Sequence, residues 1–328
     1  MILVTGSAGF IGQAVCAALL ARGDLVVGLD NFNDYYDPQL KRDRLEQTWR
    51  IASIDRYNQV EADVADRVAL EALLARWQPR RIVHLAAQAG VRYSFDNPDA
   101  YVRSNLVGFV NLLEAARRNA RIEHIVYASS SSVYGANLKQ PLSIADRVDE
   151  PLSLYGATKR ANELIARVYA LQFGLKLTGL RYFTVYGPWG RPDMAPVKFA
   201  RALLDGRPIE VYGEGDMRRD FTYIDDIVAG TLAALDDSRH FGPLPHRLYN
   251  LGNGRPEALM HFIEVLARVS GRTPNLQMRP MQPGDMQSTS ADIEATTRVL
   301  GWRPTTSIEE GLPRMFEWCR GYYVSTTA

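Results

Sequence analysis

The chain has 328 residues, enough for one large domain or two closely joined ones and too many for a disulfide-stapled miniprotein. Hydrophobic residues make up 46% and charged residues 23%, a globular composition that excludes a disordered chain. Lys and Arg number 38 against 37 Asp and Glu, a formal charge of +1, so no global field exists to hold a nucleic-acid backbone or an anionic membrane; a local basic pocket for a small anion stays open. Cys16 and Cys319 are too few for a disulfide framework, and no Cys/His cluster has zinc spacing, so no metal site is expected. The first residues lack a basic segment and their apolar run is broken at Gly6 and Gly9. No stretch approaches the ~18 apolar residues of a membrane span, and a soluble cytoplasmic protein is expected.

Ile2-Leu3-Val4 reads as a buried strand ending in glycines, followed by a helix over 10–22. Leu25 to Leu29 is a second strand that ends at Asp30. Residues 31–60 are polar and aromatic without a clear period and read as a surface insertion with some helix near 40–50. A helix over 66–77 and a strand from Arg81 to Leu85 follow. Ser104 can cap a helix whose Leu106, Phe109, Val110 and Leu113 share one face, and His124 to Tyr127 is the next strand. A helix over 155–172 carries Ala161, Leu164, Ile165, Val168 and Leu171 on one stripe, before a strand from Leu175 to Phe183. Alternating helices and nearly continuous apolar strands predict an α/β fold: a doubly wound parallel sheet of Rossmann type, with a smaller C-terminal substrate-binding lobe over the carboxyl ends of the strands. The boundary is set at 183/184, residues 1–183 binding the cofactor with return segments near 220–255.

Gly6, Gly9 and Gly12 follow the first strand and open the first helix, with Phe10 and Ile11 between them. A diphosphate needs close backbone approach and free N–H groups at a helix N-terminus, which a Cβ would block. The spacing is GxxGxxG rather than the GxGxxG dinucleotide fingerprint. Asp30 sits where a carboxylate can accept from both adenosine ribose hydroxyls while repelling a 2′-phosphate, which favours NAD over NADP. Asp63-Val64 follows the third strand and can reach the adenine edge.

Tyr155 and Lys159 stand at i and i+4, on one helix face. A free tyrosine titrates near ~10, and lowering that by ~3 units takes about 4 kcal/mol, which two close cations in a dry cleft can supply. Four serines, Ser129 to Ser132, come just after the strand that ends at Tyr127, where a hydroxyl can hold a substrate oxygen against Tyr155. His84 reads as a core residue, Asp225-Asp226 as helix caps, and His240, His246 and His261 as lacking metal spacing.

Taken together, these motifs resemble the extended short-chain dehydrogenases/reductases, specifically the NAD-dependent nucleotide-sugar epimerases and dehydratases, over essentially the whole chain. The resemblance implies a catalytic set of Ser130, Tyr155 and Lys159. It implies an NAD site of Gly6, Gly9, Phe10, Ile11, Gly12, Asp30, Asn31, Asn33, Asp63, Val64, Leu85, Ala86, Ala87, Gln88, Asn105, Tyr155, Lys159, Tyr182 and Val185. The segment from Tyr212 through Arg219 resembles the family's diphosphate-binding stretch, with Arg219 clamping the phosphates, and Gly284-Asp285 its nucleotide-ribose segment. Arg92, Lys198 and Gln282 join the substrate set; Gln282 stands where galactose-type epimerases carry an arginine. A homodimer is also implied, through the helices at 104–118 and 155–172.

Dehydratases place an Asp-Glu pair where this chain has Ser131 and Ser132, which argues against dehydration. The stretch from Arg181 to Ala195, the run from Asp30 to Asp37 and that from Ala86 to Arg92 resemble the UDP-glucuronate 4-epimerase branch; many UDP-hexose epimerases carry Asn at the position of Thr184. A sugar carboxylate on carbon five would then be met by Ser131, Ser132, Thr184 and Arg191. Rival readings are a UDP-glucuronate decarboxylase, a UDP-glucose 4-epimerase and a non-catalytic NAD-binding sensor; intact Ser130, Tyr155 and Lys159 argue against the last.

Overall fold

The apolar runs pair side by side because both their faces can be covered by helices. The computed structural model describes residues 1–52, 55–237, 241, 243–282 and 284–324. Its central sheet contains β1 (Ile2–Thr5), β2 (Val26–Asp30), β3 (Tyr57–Glu61), β4 (Arg81–His84), β5 (His124–Ser130), β6 (Leu177–Tyr182) and a seventh strand, His246–Leu251. The order is His246–Leu251, β6, β5, β4, β1, β2, β3, all parallel. Winding reverses between β1 and β4, which opens a crevice at their carboxyl ends. Alternate residues of β1 feed two cores: Ile2 and Val4 pack with the helices Phe10–Ala21 and Ile224–Asp236, while Leu3 packs with Arg67–Trp77 and Gly108–Arg117.

Beyond β6 the elements shorten. Thr184–Tyr186 pairs with Phe221–Tyr223, Arg218–Arg219 with Glu257–Ala258, and Ile209–Tyr212 with Leu276–Arg279. The helices Ala195–Asp205, Leu259–Ser270 and Ile308–Val324 cover them, and one apolar cluster runs without a break from Ile2 to Phe262 and Cys319.

Four expectations need correction, while the helix over 155–172 stands as predicted. The 31–60 segment is no mere surface insertion: it supplies the helix Pro38–Ile51, which buries Leu40, Lys41, Arg44, Leu45 and Thr48, and then β3. Its weak period reflects polar residues facing inward. Ser104 caps nothing, because the backbone is already helical at Tyr101 and passes through a π-helical turn, Val102–Val107. β5 runs on through Ser129 and Ser130, so these serines are strand residues. The helix Leu154–Phe173 turns Gly156, Lys159, Asn162, Glu163 and Ala166 to the protein and leaves Leu164, Val168 and Leu171 about half exposed. Asp225 and Asp226 follow Tyr223, the N-cap; Asp226 instead accepts from the backbone of Thr305 and Thr306, tying down the C-terminal segment. His84 is buried as expected, and burial pushes its pKa down to about 3. His240 lies outside the described residues, and no group of three His, Cys, Asp or Glu among those described could hold a metal.

Candidate active site

The crevice begins at the glycine turn. Gly6 has φ +72°, and a Cβ there would lie 2.7 Å from the Ala86 amide nitrogen; one on Gly12 would run into the Gly6 carbonyl oxygen. The first turn thus presses against the end of β4, with Gly6 N bonded to Leu29 O and Gly9 N to Gly6 O. Phe10, Ile11 and Gly12 start the helix, so their N–H groups have no carbonyl one turn earlier, and no acid sits in that turn to neutralise its positive end. Phe10 and Val64 bury their side chains in the core, leaving only backbone for a ligand. Asp30 accepts from Ala8 N at 3.1 Å and Phe32 N at 2.9 Å, which fixes its carboxylate over the turn. Lys41 Nζ stands 3.8 Å from Asp30 and donates to Asn33 Oδ1 at 2.8 Å; Asn31 accepts from Asn33 N. The residues therefore fit a dinucleotide: a cradle that side chains would fill, free N–H groups, and a pinned carboxylate one strand away.

Asn105, Tyr182 and Val185 make contacts within the chain. Asn105 accepts from Gln88 N at 2.8 Å and donates to Gln88 O and Thr158 Oγ1, bracing the Leu85–Gln88 segment against the Leu154–Phe173 helix. The π-helical turn aims it inward. Tyr182 buries its ring and bonds Thr231 Oγ1, and Val185 is packed in the same core. Asp63 pairs with Arg103 at 3.3 Å.

Ser130, Tyr155 and Lys159 meet where β5 ends. Ser130 Oγ accepts from Ser132 N at 3.1 Å, which opens the Ser131–Tyr134 turn. Burial pushes the Tyr155 phenol above its ordinary pKa; the Ser130 hydroxyl and the Arg191 cation pull it back. Lys159 sits beside the Tyr155 ring, as the i, i+4 spacing predicts, with its ammonium tethered to the backbone. Its Nζ donates to Ala128 O at 2.8 Å, lies 6.0 Å from the Tyr155 ring centre, and burial pushes its pKa down to about 8. Arg191 is a second cation whose charge reaches the phenol and lowers its pKa.

Arg191 is held from below: Nε donates to Asp193 at 3.0 Å, and Tyr35 donates to the same carboxylate at 3.0 Å. Burial opposes its charge, yet Asp193 outweighs it and keeps the guanidinium cationic. Thr184 opens the strand Thr184–Tyr186, and Ser131 and Ser132 are part-exposed in their turn. A second cluster gathers Arg92, Tyr212, Gln282 and Asp285. Arg92 donates to Asp285 at 3.1 Å and covers the Tyr212 ring at 4.7 Å, with Gln282 near the Tyr212 hydroxyl. Arg219 donates to Arg218 O and Gln287 O, burial lowers its pKa, and Asp285 counters that. Lys198 is exposed in the first turn of the Ala195–Asp205 helix.

Sequence reasoning missed four residues of this neighbourhood. Glu163 and Arg181 form a buried pair behind the serines, Nε and Nη2 each 2.8 Å from a carboxylate oxygen, with Ser129 donating to Glu163 at 2.7 Å. A charged residue mid-strand and an acid four beyond Lys159 were the available signals. Asp193 and Arg44 carried none.

A model of the NAD dependent epimerase/dehydratase family matches residues 2–252. The chain is 48% identical over 334 aligned residues to UDP-glucuronate 4-epimerase 3 of Arabidopsis thaliana, covering 98% of this chain and 77% of that one. The crystal structure of UDP-glucuronic acid 4-epimerase from Bacillus cereus, in complex with UDP-glucuronic acid and NAD, superposes with a TM-score of 0.90 at 34% identity, covering 98% of this chain and 99% of the other. UDP-glucose 4-epimerase from Thermotoga maritima is similar at 28% identity and a TM-score of 0.86, over 100% and 99% of the two chains.

Proposed function

The chain belongs to the NAD-dependent epimerase/dehydratase family, and from that membership we propose that it interconverts UDP-glucuronate and UDP-galacturonate by inversion at carbon four. The observation that carries this reading is Arg191, a cation close enough to Tyr155 to act on its phenol. A uronate presents a carboxylate there; a CH2OH needs no cation. Held by the glycine turn and Asp30, NAD would supply the hydride acceptor and donor for carbon four, with no net redox change.

Tyr155 takes the proton from the 4-hydroxyl and Ser130 holds that oxygen. Lys159, tethered to Ala128 O, faces the nicotinamide ribose. Arg219, Arg92, Tyr212, Gln282 and Asp285 anchor the UDP while the flat 4-keto sugar turns over. Residues 1–183 serve the cofactor and 184–328 mainly the nucleotide sugar. The 4-keto uronate is a β-keto acid: its bond from carbon five to the carboxylate breaks, CO2 leaves, and the electron pair enters an enolate when that bond stands orthogonal to the ketone plane. Ser131, Ser132, Thr184 and Arg191 hold the carboxylate away from that orientation. Arg191→Ala and Thr184→Ala are expected to release more UDP-pentose per UDP-galacturonate formed, read by NMR of the sugar protons; parent-like ratios in both variants refute this role.

The first test is incubation of the purified protein with UDP-glucuronate and no added NAD. UDP-galacturonate is the expected product. A UDP-pentose with CO2 points to the decarboxylase, and conversion of UDP-glucose alone to the hexose epimerase.

Two further features fall under the same proposal. The half-exposed Leu164, Val168 and Leu171 form an i, i+4, i+7 stripe, and the adjoining helical stretch exposes Val102 and Val107. This face supports a homodimer through paired helices. Light scattering at micromolar concentration should give a dimer, and a Leu164→Asp/Val168→Asp variant a monomer; a monomeric parent refutes it. Among the described residues no helix is long and apolar enough to cross a membrane. The buried, unpaired thiols of Cys16 and Cys319 support a cytoplasmic location.

A further inference from the structure

Arg44 lies on the Pro38–Ile51 helix with no solvent exposure. Its guanidinium reaches two loops at once. Nε and Nη2 donate to Trp189 O at 3.0 and 2.7 Å, and Nη2 also to Gly190 O at 3.2 Å. Nη1 donates to Ala8 O at 3.3 Å and to the Tyr36 hydroxyl at 2.7 Å. Every one of these acceptors is uncharged. Ala8 belongs to the glycine turn, while Trp189 and Gly190 immediately precede Arg191. One side chain thus joins the cofactor cradle to the loop that carries the cation beside Tyr155.

That loop needs holding. Trp189 has φ +62°, a left-handed conformation that bulky residues seldom adopt. Two contacts keep it there: the Arg44 fork on its carbonyl, and its indole packed 5.4 Å from the rings of Trp318 and Tyr322. A planar fork suits this task, since a lysine ammonium is a single point donor and cannot span three carbonyls on two loops.

We propose that Arg44 is a positioning residue for the sugar-carboxylate pocket: by fastening the Trp189–Gly190 turn to the glycine turn, it sets the aim of Arg191. The Pro38–Ile51 helix is then part of the active-site frame, and the fate of the 4-keto uronate depends on a residue that does not touch it. This inference rests on the uronate reading above.

The test uses the NAD-loaded enzyme with UDP-glucuronate and reads the ratio of UDP-pentose products to UDP-galacturonate. Loss of folded enzyme scales both products together and leaves the ratio unchanged. Arg44→Met, which keeps an apolar stem and loses the fork, should raise the ratio by about fivefold or more, and Arg44→Lys should raise it less. Tryptophan emission should shift in Arg44→Met, reporting release of the Trp189 turn. A parent-like ratio in folded, NAD-loaded Arg44→Met overturns the proposal; should that variant not fold, a parent-like ratio in Arg44→Lys does so. A parent that leaves UDP-glucuronate unchanged fells the function reading, and this one with it.

Discussion

Tyr155→Phe is expected to lower kcat by about 10³-fold while leaving the fold and nucleotide-sugar binding intact, because in the proposed mechanism the phenol oxygen takes the 4-hydroxyl proton. The ring itself stays: it packs edge-on to Tyr101 at 6.1 Å, and phenylalanine preserves that contact. The pH profile sharpens the assignment. Burial raises the Tyr155 pKa, and a base must be deprotonated to act, so kcat/KM should climb with pH on its acid limb. Arg191 pulls that pKa down, so Arg191→Ala should move the climbing limb to higher pH. Lys159, pushed down to about 8, loses its charge above that pH, and a falling limb there belongs to it. Steady-state rates from pH 6 to 10 on the parent, Tyr155→Phe and Arg191→Ala check all three statements. Retention of more than a tenth of the activity in Tyr155→Phe would exclude it as the base.

The sheet was legible because its strands are short, apolar and punctuated: Ile2-Leu3-Val4 ends at Gly6, and the second strand ends at Asp30. The cradle was legible because close approach admits nothing but glycine, and the Ser130–Tyr155–Lys159 set because strand end and helix spacing survive in one dimension. What stayed hidden is contact between distant segments. The Pro38–Ile51 helix buries Lys41 and Arg44, residues that read as surface until their partners Asp30, Trp189 and Gly190 are in place. Apolar residues are the converse case: the stripe of Leu164 and Val168 stays half exposed, while the protein-facing side carries Lys159, Asn162 and Glu163. Periodicity finds an amphipathic face but does not say which partner covers it. The same blindness hides the tether of Lys159: its ammonium donates to the Ala128 carbonyl, 31 positions away in sequence.

Glu163→Gln should cost about 3–5 kcal/mol of stability, because it leaves the Arg181 guanidinium buried without its counter-ion. Both side chains are only 1% exposed, and Arg181 Nη1 already has no hydrogen-bond partner beyond the face of the Tyr134 ring, 4.8 Å from the guanidinium carbon. At roughly 2 °C per kcal/mol for a large domain, the thermal midpoint should fall by about 6–10 °C. Removing both charges as Glu163→Leu/Arg181→Met should cost much less than the two single losses added together, since no lone charge is then stranded. The acid limb gives the sign. Burial alone would raise the Glu163 carboxyl, but Arg181 and Ser129 outweigh it and hold its pKa below the ordinary 4.5. The folded state therefore binds its proton less readily than the unfolded chain, and the pair's contribution is full above about pH 4.5 and fades as pH falls through the lower folded value. Melting curves of parent and Glu163→Gln should run parallel from pH 8 to 6 and converge below about 4.5; a gap that widens on acidification would mean Glu163 is not held as a carboxylate. Activity should respond too. Ser129 donates to Glu163 and neighbours Ser130, so loosening the pair displaces the hydroxyl that faces Tyr155, and kcat should fall in Glu163→Gln at temperatures well below its melting point.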